Sequence, residues 1–353
     1  MNKYILGFVL TIIGIATAGA TNQVTLSEDS GRVYGVAFYN LENLFDTINA
    51  NGRYDLEFSP EGARKWDTRK YNIKLNNIAN AIAGLVSKAT PGGPAIIGIA
   101  EVETESVVAD LVNARPLRKR KLAYVHHDSP DLRGIDVALL YDPEQFAVTG
   151  VEAHRLFVES NPSFLTRDQL CVSGVLGSDT ISVIVNHWPS RLGGQEQSEY
   201  LRVAAAGLSK SIADSIRSVS PLRPIIIMGD LNDDPQDKSC AETIGARRNA
   251  YDVPPTGFYN PWWDILAKGK GTLTYKGKWN LFDQIIVGGM LLPDNGATLT
   301  FMGAEVCDLD FLKQKEAPYT GTPHRTYAGG RFLYGYSDHF PTQIYLRSSK
   351  KQD

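Results

Sequence analysis

Four times in this chain a run of β-branched or aliphatic residues stops abruptly at acids, amides or imidazoles. Val36 to Phe38 leads into Tyr39, Asn40, Leu41, Glu42 and Asn43, and Pro94 to Ala100 ends in Glu101, Val102 and Glu103. Ile181 to Val185 ends in Asn186 and His187, with Arg191 just beyond, and Pro224 to Gly229 ends in Asp230, Leu231, Asn232 and Asp233. In a fifth segment, Tyr336 to Pro341, the adjacent pair Asp338 and His339 precedes a short apolar strand. Runs this short, bounded by polar residues, read as buried strands. Any one of them is equally a strand meeting a solvated turn. Together they describe one site on a rigid scaffold, because each apolar run fixes the direction in which its polar end projects.

The elements between these junctions set the fold class. Tyr71, Leu75, Ile78, Ile82 and Leu85 recur at helical spacing, and so do Leu201, Ala205, Leu208, Ile212 and Ile216 in a second helix over about Gln195 to Ser218. Strands are predicted at Ile135–Tyr141, Phe146–Ala153, Leu170–Leu176, Ile181–Val185 and Ile225–Met228. Several follow one another without a helix, which fits a doubly wound parallel sheet poorly. Two mostly antiparallel or mixed sheets packed face to face, with helices outside, fit better. Tyr251–Trp279, with Trp262 and Trp263, and Asp308–Tyr336 read as long surface loops. The basic run Arg115, Arg118, Lys119, Arg120 and Lys121 reads first as a solvated helix-to-strand connection and second as a contact for phosphates.

With 353 residues, 43% of them hydrophobic, a large core is available. No linker or repeat divides the chain, so a single domain is expected over 32–347. Residues 1–20 read as an export signal: Lys3, an apolar Tyr4–Ala18 segment, then Ala18, Gly19 and Ala20. A mobile segment is expected at 21–31 and a tail at 348–353, with the mature protein periplasmic or extracellular. Cys171, Cys240 and Cys307 leave at least one thiol unpaired; they read as buried small residues with room for one disulfide. A net charge of −3 argues against gripping nucleic acid by bulk positive potential, but not against a hydrolase that recruits a cation. No Gly-x-Ser-x-Gly elbow supports a serine hydrolase.

These motifs, in this order from Val36 to Leu346, resemble the endonuclease/exonuclease/phosphatase superfamily with the pancreatic-deoxyribonuclease fold. The resemblance implies an α+β, four-layer α/β/β/α sandwich with one site at the strand ends. It implies that Asn40 hydrogen-bonds the reacting phosphate, that Glu101 and Asp338 are metal ligands with Glu42 a further acid near the metal, and that His187 contacts the phosphate. Asp230 and Asn232, in Gly-Asp-Leu-Asn, would position the attacking water, and Asp283 would orient the catalytic imidazole of His339. Asn186 and Arg191 are further candidate substrate contacts. For Arg133-Gly134-Ile135-Asp136 two readings stand: Asp136 partners His187 while Arg133 reaches a phosphate oxygen, or the acid and base of a glycine turn pair with each other. Hard oxygen ligands favour Mg²⁺, with Mn²⁺ or Ca²⁺ as substitutes, over zinc. The expectation is a monomeric, metal-dependent phosphodiesterase, foremost an endonuclease acting on nucleic acid. The alternative is a phosphatase on inositol phosphates or a sphingomyelinase-like phospholipase, with Trp262 and Trp263 serving a lipid surface or stacking on bases.

Overall fold

The computed structural model describes residues 31–48 and 57–349. The expected export signal, most of the 21–31 segment and residues 350–353 of the tail lie outside these residues. In chain order the elements are β1 (Val33–Leu44), α1 (Thr68–Ala83), β2 (Ile96–Val102), α2 (Glu105–Asn113), β3 (Ala123–His126), β4 (Asp136–Tyr141), β5 (Phe146–His154), β6 (Gln169–Leu176) and β7 (Asp179–His187). They continue as α3 (Gln195–Val219), β8 (Ile225–Asp230), β9 (Ala246–Arg247), β10 (Phe258–Tyr259), α4 (Trp262–Ala267), β11 (Leu273–Tyr275), β12 (Lys278–Asn280) and β13 (Asp283–Gly288). The last are β14 (Leu299–Val306), β15 (Tyr327–Ala328), β16 (Arg331–Phe332) and β17 (Thr342–Ser348). One mixed sheet runs β14-β17-β1-β2-β4-β3 and the other β5-β6-β7-β8-β13-β10-β9; β11–β12 and β15–β16 are separate hairpins.

Alternation along the strands builds the layers, since successive side chains of a strand point to opposite faces. Val183 and Val185 of β7, Ile226 and Met228 of β8, and Ile285 and Val287 of β13 join the core shared with the first sheet. The residues between them, Ile184, Ile227 and Ile286, pack with Ala205, Ala206, Ile212 and Ala213 of α3 instead. On the far side, Tyr71, Leu75, Ile78 and Ile82 of α1 and Val107 and Leu111 of α2 cover the first sheet. The layers are therefore helix, sheet, sheet, helix, and the expected α+β sandwich is the observed fold.

Several expectations are corrected. The buried face of α3 is Ser198, Arg202, Ala205, Ala206, Ser209, Ile212 and Ala213, with Leu201, Leu208 and Ile216 at its margin. Polar partners in the core pull the helix round: Arg202 pairs with Asp233 at 2.6 Å and Ser209 donates to Gln169 and Asn186. The Tyr251–Trp279 stretch is no free loop, because it supplies β10, α4 and β11. Trp262 is fully buried and donates its indole N–H to the Ile285 carbonyl at 3.0 Å, which removes it from any lipid or base surface. All three cysteines are free and buried, so no disulfide forms among them. Among the described residues no helix is long and apolar enough to cross a membrane.

The sheets meet closely at Gly98 of β2. A Cβ there would lie 2.5 Å from the Met228 sulfur, 3.1 Å from Phe38 and 3.2 Å from Val185. Overpacking a dense core costs about 1–3 kcal/mol. Gly98→Ala should lower unfolding stability by that amount in urea, and the double variant with Met228→Ala should lose less than the sum of the two single losses. Full additivity would refute the contact.

Candidate active site

Strand ends from both sheets bring the polar residues to one opening, and local backbone geometry aims them. Glu42, Asn43, Glu101 and Asn232 have φ of 51°, 56°, 62° and 51°, in the left-handed region. The ladder shifts register between Asn40 and Leu44 of β1, and between Ala100 and Val102 of β2. Bulges of this kind turn a side chain out of the pleat, and left-handed non-glycine residues cost of order 1 kcal/mol each, so they persist where surroundings enforce them. Here Glu42 N–H donates to Asn40 Oδ1, Asn43 N–H to Glu101 Oε2 (both 2.9 Å), and Asn232 N–H to Asp230 Oδ1 (3.0 Å). Gly229 permits the approach of β7, since a Cβ would sit 2.2 Å from the Asn186 carbonyl oxygen.

At the centre lies Asp230, whose Oδ2 accepts from Asn40 Nδ2 at 2.9 Å. The same oxygen is 3.5 Å from His187 Nε2 and 4.0 Å from His339 Nε2. Burial first, then the neighbouring Asp283 carboxylate against the opposing pull of His339, pushes the Asp230 carboxyl up to about 6. His339 donates from Nδ1 to Asp283 Oδ2 at 2.7 Å. Burial opposes its charge, yet Asp283, Asp230 and Asp338 outweigh it and hold the imidazole protonated well above its ordinary range. Its backbone N–H donates to Ser337 Oγ, which in turn donates to the Asn40 carbonyl. His187 is the opposite case. Burial, with Arg167, Arg133 and His339 adding to it, keeps that ring neutral, and its nearest acids, Asp230 and Glu101 (3.8 Å), are beyond hydrogen-bond distance.

A second group of charges adjoins. Arg325 Nη2 donates to Asp338 Oδ2 at 2.9 Å and Nε lies 3.4 Å from Glu42 Oε1. Thr326 N–H donates to Glu42 Oε2 at 2.6 Å. Arg133 bonds Asn43 Oδ1 and approaches Glu101 Oε2 at 3.5 Å. Both Glu101 and Asp338 bear on the charge of Arg133 and of Arg325, so the two acids face common ground. Glu42, Glu101 and Asp338 are an all-oxygen set, the ligand type a hard divalent cation takes, and in this structure Lys74, Arg325 and Arg133 pair with them. The ligand atoms of Asp230, Asp283 and His339, unlike those of Glu42, Glu101 and Asp338, lie within 4.8 Å of one another. Within that trio, Asp283 Oδ2 is already engaged by His339 Nδ1 at 2.7 Å.

Other expected contacts fall elsewhere. Asp136 does not partner His187: its carboxylate is used by His126 at 3.2 Å and by Ser129. Nor does Arg133 pair with Asp136, so both readings of that turn fail in part. Asn186 is fully buried and spends its amide on Ile184, Met228, Trp188 and Ser209, away from any substrate. Arg191 clamps the loop behind Asn232, bonding its carbonyl at 2.8 Å together with Asp233 and Asp237.

Lys74 went unread in the sequence. It is fully buried on α1, donates to Thr326 Oγ1 and to the Tyr336 carbonyl (2.9 Å), and lies 3.9 Å from Glu42 Oε2. Burial lowers it to about 8 and raises Glu42 to about 7. The signal was a lysine three residues after Tyr71 and four before Ile78, on the apolar stripe itself. Arg325 was missed because no sequence pattern ties it to the strand ends, whereas Asn43 stood in the first strand-end motif without a role of its own.

A model of the Endonuclease/Exonuclease/phosphatase family matches residues 35–348. No curated protein matches the sequence. Among solved structures, truncated TDP2 from Caenorhabditis elegans aligns with TM-score 0.53 and 15% identity over 91% of this chain and 100% of its own. An endonuclease/exonuclease/phosphatase family protein from Bacteroides thetaiotaomicron aligns with TM-score 0.52 and 16% identity, covering 90% and 98%. The mannosyl-6-phosphatase of Bacteroides thetaiotaomicron gives TM-score 0.52 and 16% identity over 89% and 99%. At such identities these likenesses establish the fold.

Lys74→Met should strip a buried carboxylate of its buried cation and lower stability by about 3 kcal/mol at neutral pH, while adding Glu42→Gln should recover part of it. Denaturant unfolding of the single and double variants measures both.

Proposed function

We propose, from the premise that this chain belongs to the endonuclease/exonuclease/phosphatase family, that it hydrolyses phosphodiester bonds with Mg²⁺ and that its substrate class is nucleic acid. The observation that carries the reading is Asp230, a buried carboxylate flanked by Asn40 and by the charged His339–Asp283 pair. A phosphodiester resists water because its own charge repels a nucleophile, so a catalyst must neutralise charge and align the water. Asp230 holds that water through Oδ2 and accepts its proton, its Oδ1 being fixed by the Asn232 N–H. His339, charged and oriented by Asp283, donates from Nε2 to a non-bridging oxygen and stabilises the pentavalent charge. Asn40 and neutral His187 bind the remaining oxygens, and Arg133 and Arg325 attract the anion. Glu101, Asp338 and Glu42 would hold the divalent cation, which supplies Lewis-acid neutralisation of the phosphate and the leaving oxygen; Mn²⁺ or Ca²⁺ suits the same ligands.

Nucleic acid is supported by the shared fold of TDP2, one structure of which holds a single-strand DNA product. A phosphatase acting on a small phosphorylated compound is the second reading, favoured by the net charge of −3 and by the mannosyl-6-phosphatase of the same fold. We also read residues 1–20 as an export signal, supported by the Lys3 and apolar pattern; a mature N-terminus near residue 21 in secreted material is the expected finding.

Purified protein incubated with plasmid, single-stranded DNA, RNA, mannose 6-phosphate, inositol phosphates and sphingomyelin should cleave nucleic acid with Mg²⁺ and not with EDTA. Turnover of a monoester or lipid alone would overturn the substrate assignment. Asp230→Asn and His339→Ala should each reduce kcat by roughly a hundredfold or more with unchanged circular dichroism. Because the base must be deprotonated and its folded pKa is about 6, the rate should fall as pH drops through about 6. A flat profile from pH 5 to 8 would remove Asp230 from the role.

A further inference from the structure

Beside the catalytic opening lies a cleft of about 760 Å³ between the segment after β14 and the β15–β16 hairpin. Its walls carry aromatic rings, Phe311, Phe332, Tyr334 and Tyr336, and three cations, Lys313, Lys315 and Arg331. Phe311 and Tyr334 leave 40% and 54% of their surface exposed, so both rings are open to a ligand. Neither Lys315 nor Arg331 has a carboxylate partner among the described residues, whereas Lys313 is neutralised by Asp308 and Asp310; Glu316 adds one negative charge to the lining.

Two details show that the cleft is built. Tyr334 is held at φ 59°, a left-handed conformation that costs a bulky side chain of order 1 kcal/mol or more. Asn77 of α1 enforces it by donating to the carbonyls of Tyr334 and Gly335, both at 2.8 Å. The cleft also adjoins the chemistry. His324 in its wall precedes Arg325, which bonds Asp338, and Tyr336 stands two residues before Asp338. Two residues of chain span at most about 7 Å.

Resting on the phosphodiesterase reading above, we propose that this cleft is a subsite for the nucleotide flanking the scissile phosphate in a single strand, its base stacked on Tyr334 and Phe311 and its far phosphate drawn to Lys315 and Arg331. Flat rings beside unpaired cations match a base joined to phosphate, and each stacked base contributes about 1–3 kcal/mol, roughly 5- to 150-fold in affinity. A monoester substrate has no group to fill the cleft.

The test uses binding, so that it does not depend on turnover. Calorimetric titration of the Asp230→Asn protein compares a short single-stranded DNA with a strand of equal length whose sugars carry no bases. The base-bearing strand should bind at least about tenfold more tightly. Tyr334→Leu should abolish that difference and leave the baseless strand's Kd unchanged, and Phe311→Ala should act in the same direction. Equal affinity for the two strands, or a Tyr334→Leu effect of the same size on both, would overturn the subsite. Hydrolysis by the unaltered protein reports separately: base-dependent binding without cleavage would unseat the phosphodiesterase reading and leave the cleft standing, while cleavage without base-dependent binding would do the reverse.

Discussion

Two hydrogen bonds that cross between the sheets hold the site in register. Asn40, on β1, donates to Asp230, on β8, and His339, just before β17, donates to Asp283, on β13. Each joins a group on the first sheet to a carboxylate on the second. Their lengths, 2.9 and 2.7 Å, are therefore fixed by how closely the two apolar faces pack, and that closeness depends on small residues such as Gly98 opposite Met228. Core packing is in this sense part of the catalytic geometry, because a hydrogen bond weakens steeply within a fraction of an ångström of misplacement.

Charge is the second constraint. Glu42, Glu101, Asp230, Asp283 and Asp338 gather on one side of the molecule with little water to screen them. Buried acids in such a group would neutralise by taking protons, as Glu42 and Asp230 begin to do. Lys74, Arg133, Arg325 and the charged His339 counter this from below and from the rim. Glu42, Glu101 and Asp338 each have one of these cations beside them, so a divalent ion bound there would compete with Arg325 and Arg133 for the same oxygens.

Much of this was legible in the sequence for a physical reason. An apolar run followed at once by polar side chains is a local pattern, and the runs ending at Glu101, His187 and Asp230 became strands within one or two residues of their expected bounds, β7 alone starting slightly earlier. The α1 stripe was equally local. What escaped depended on partners distant in the chain. The buried face of α3 turned because Asp233 receives Arg202, and Trp262 went inward because the Ile285 carbonyl accepts its indole. Asn186 and Arg191 sat in the right motifs yet serve as braces, since the groups they bond, Met228 and Asp237, are set by tertiary contact. Lys74 could have been found by asking why a lysine interrupts an apolar stripe.

The left-handed residues at Glu42, Asn43, Glu101 and Asn232 carry a last implication. A backbone that has already adopted an unfavourable shape during folding has little left to rearrange when an anion arrives. The entropy of ordering these groups is lost once, in the synthesis of the native state, rather than at every encounter with substrate. A chain relaxed at those positions would fold more readily and meet its substrate less prepared.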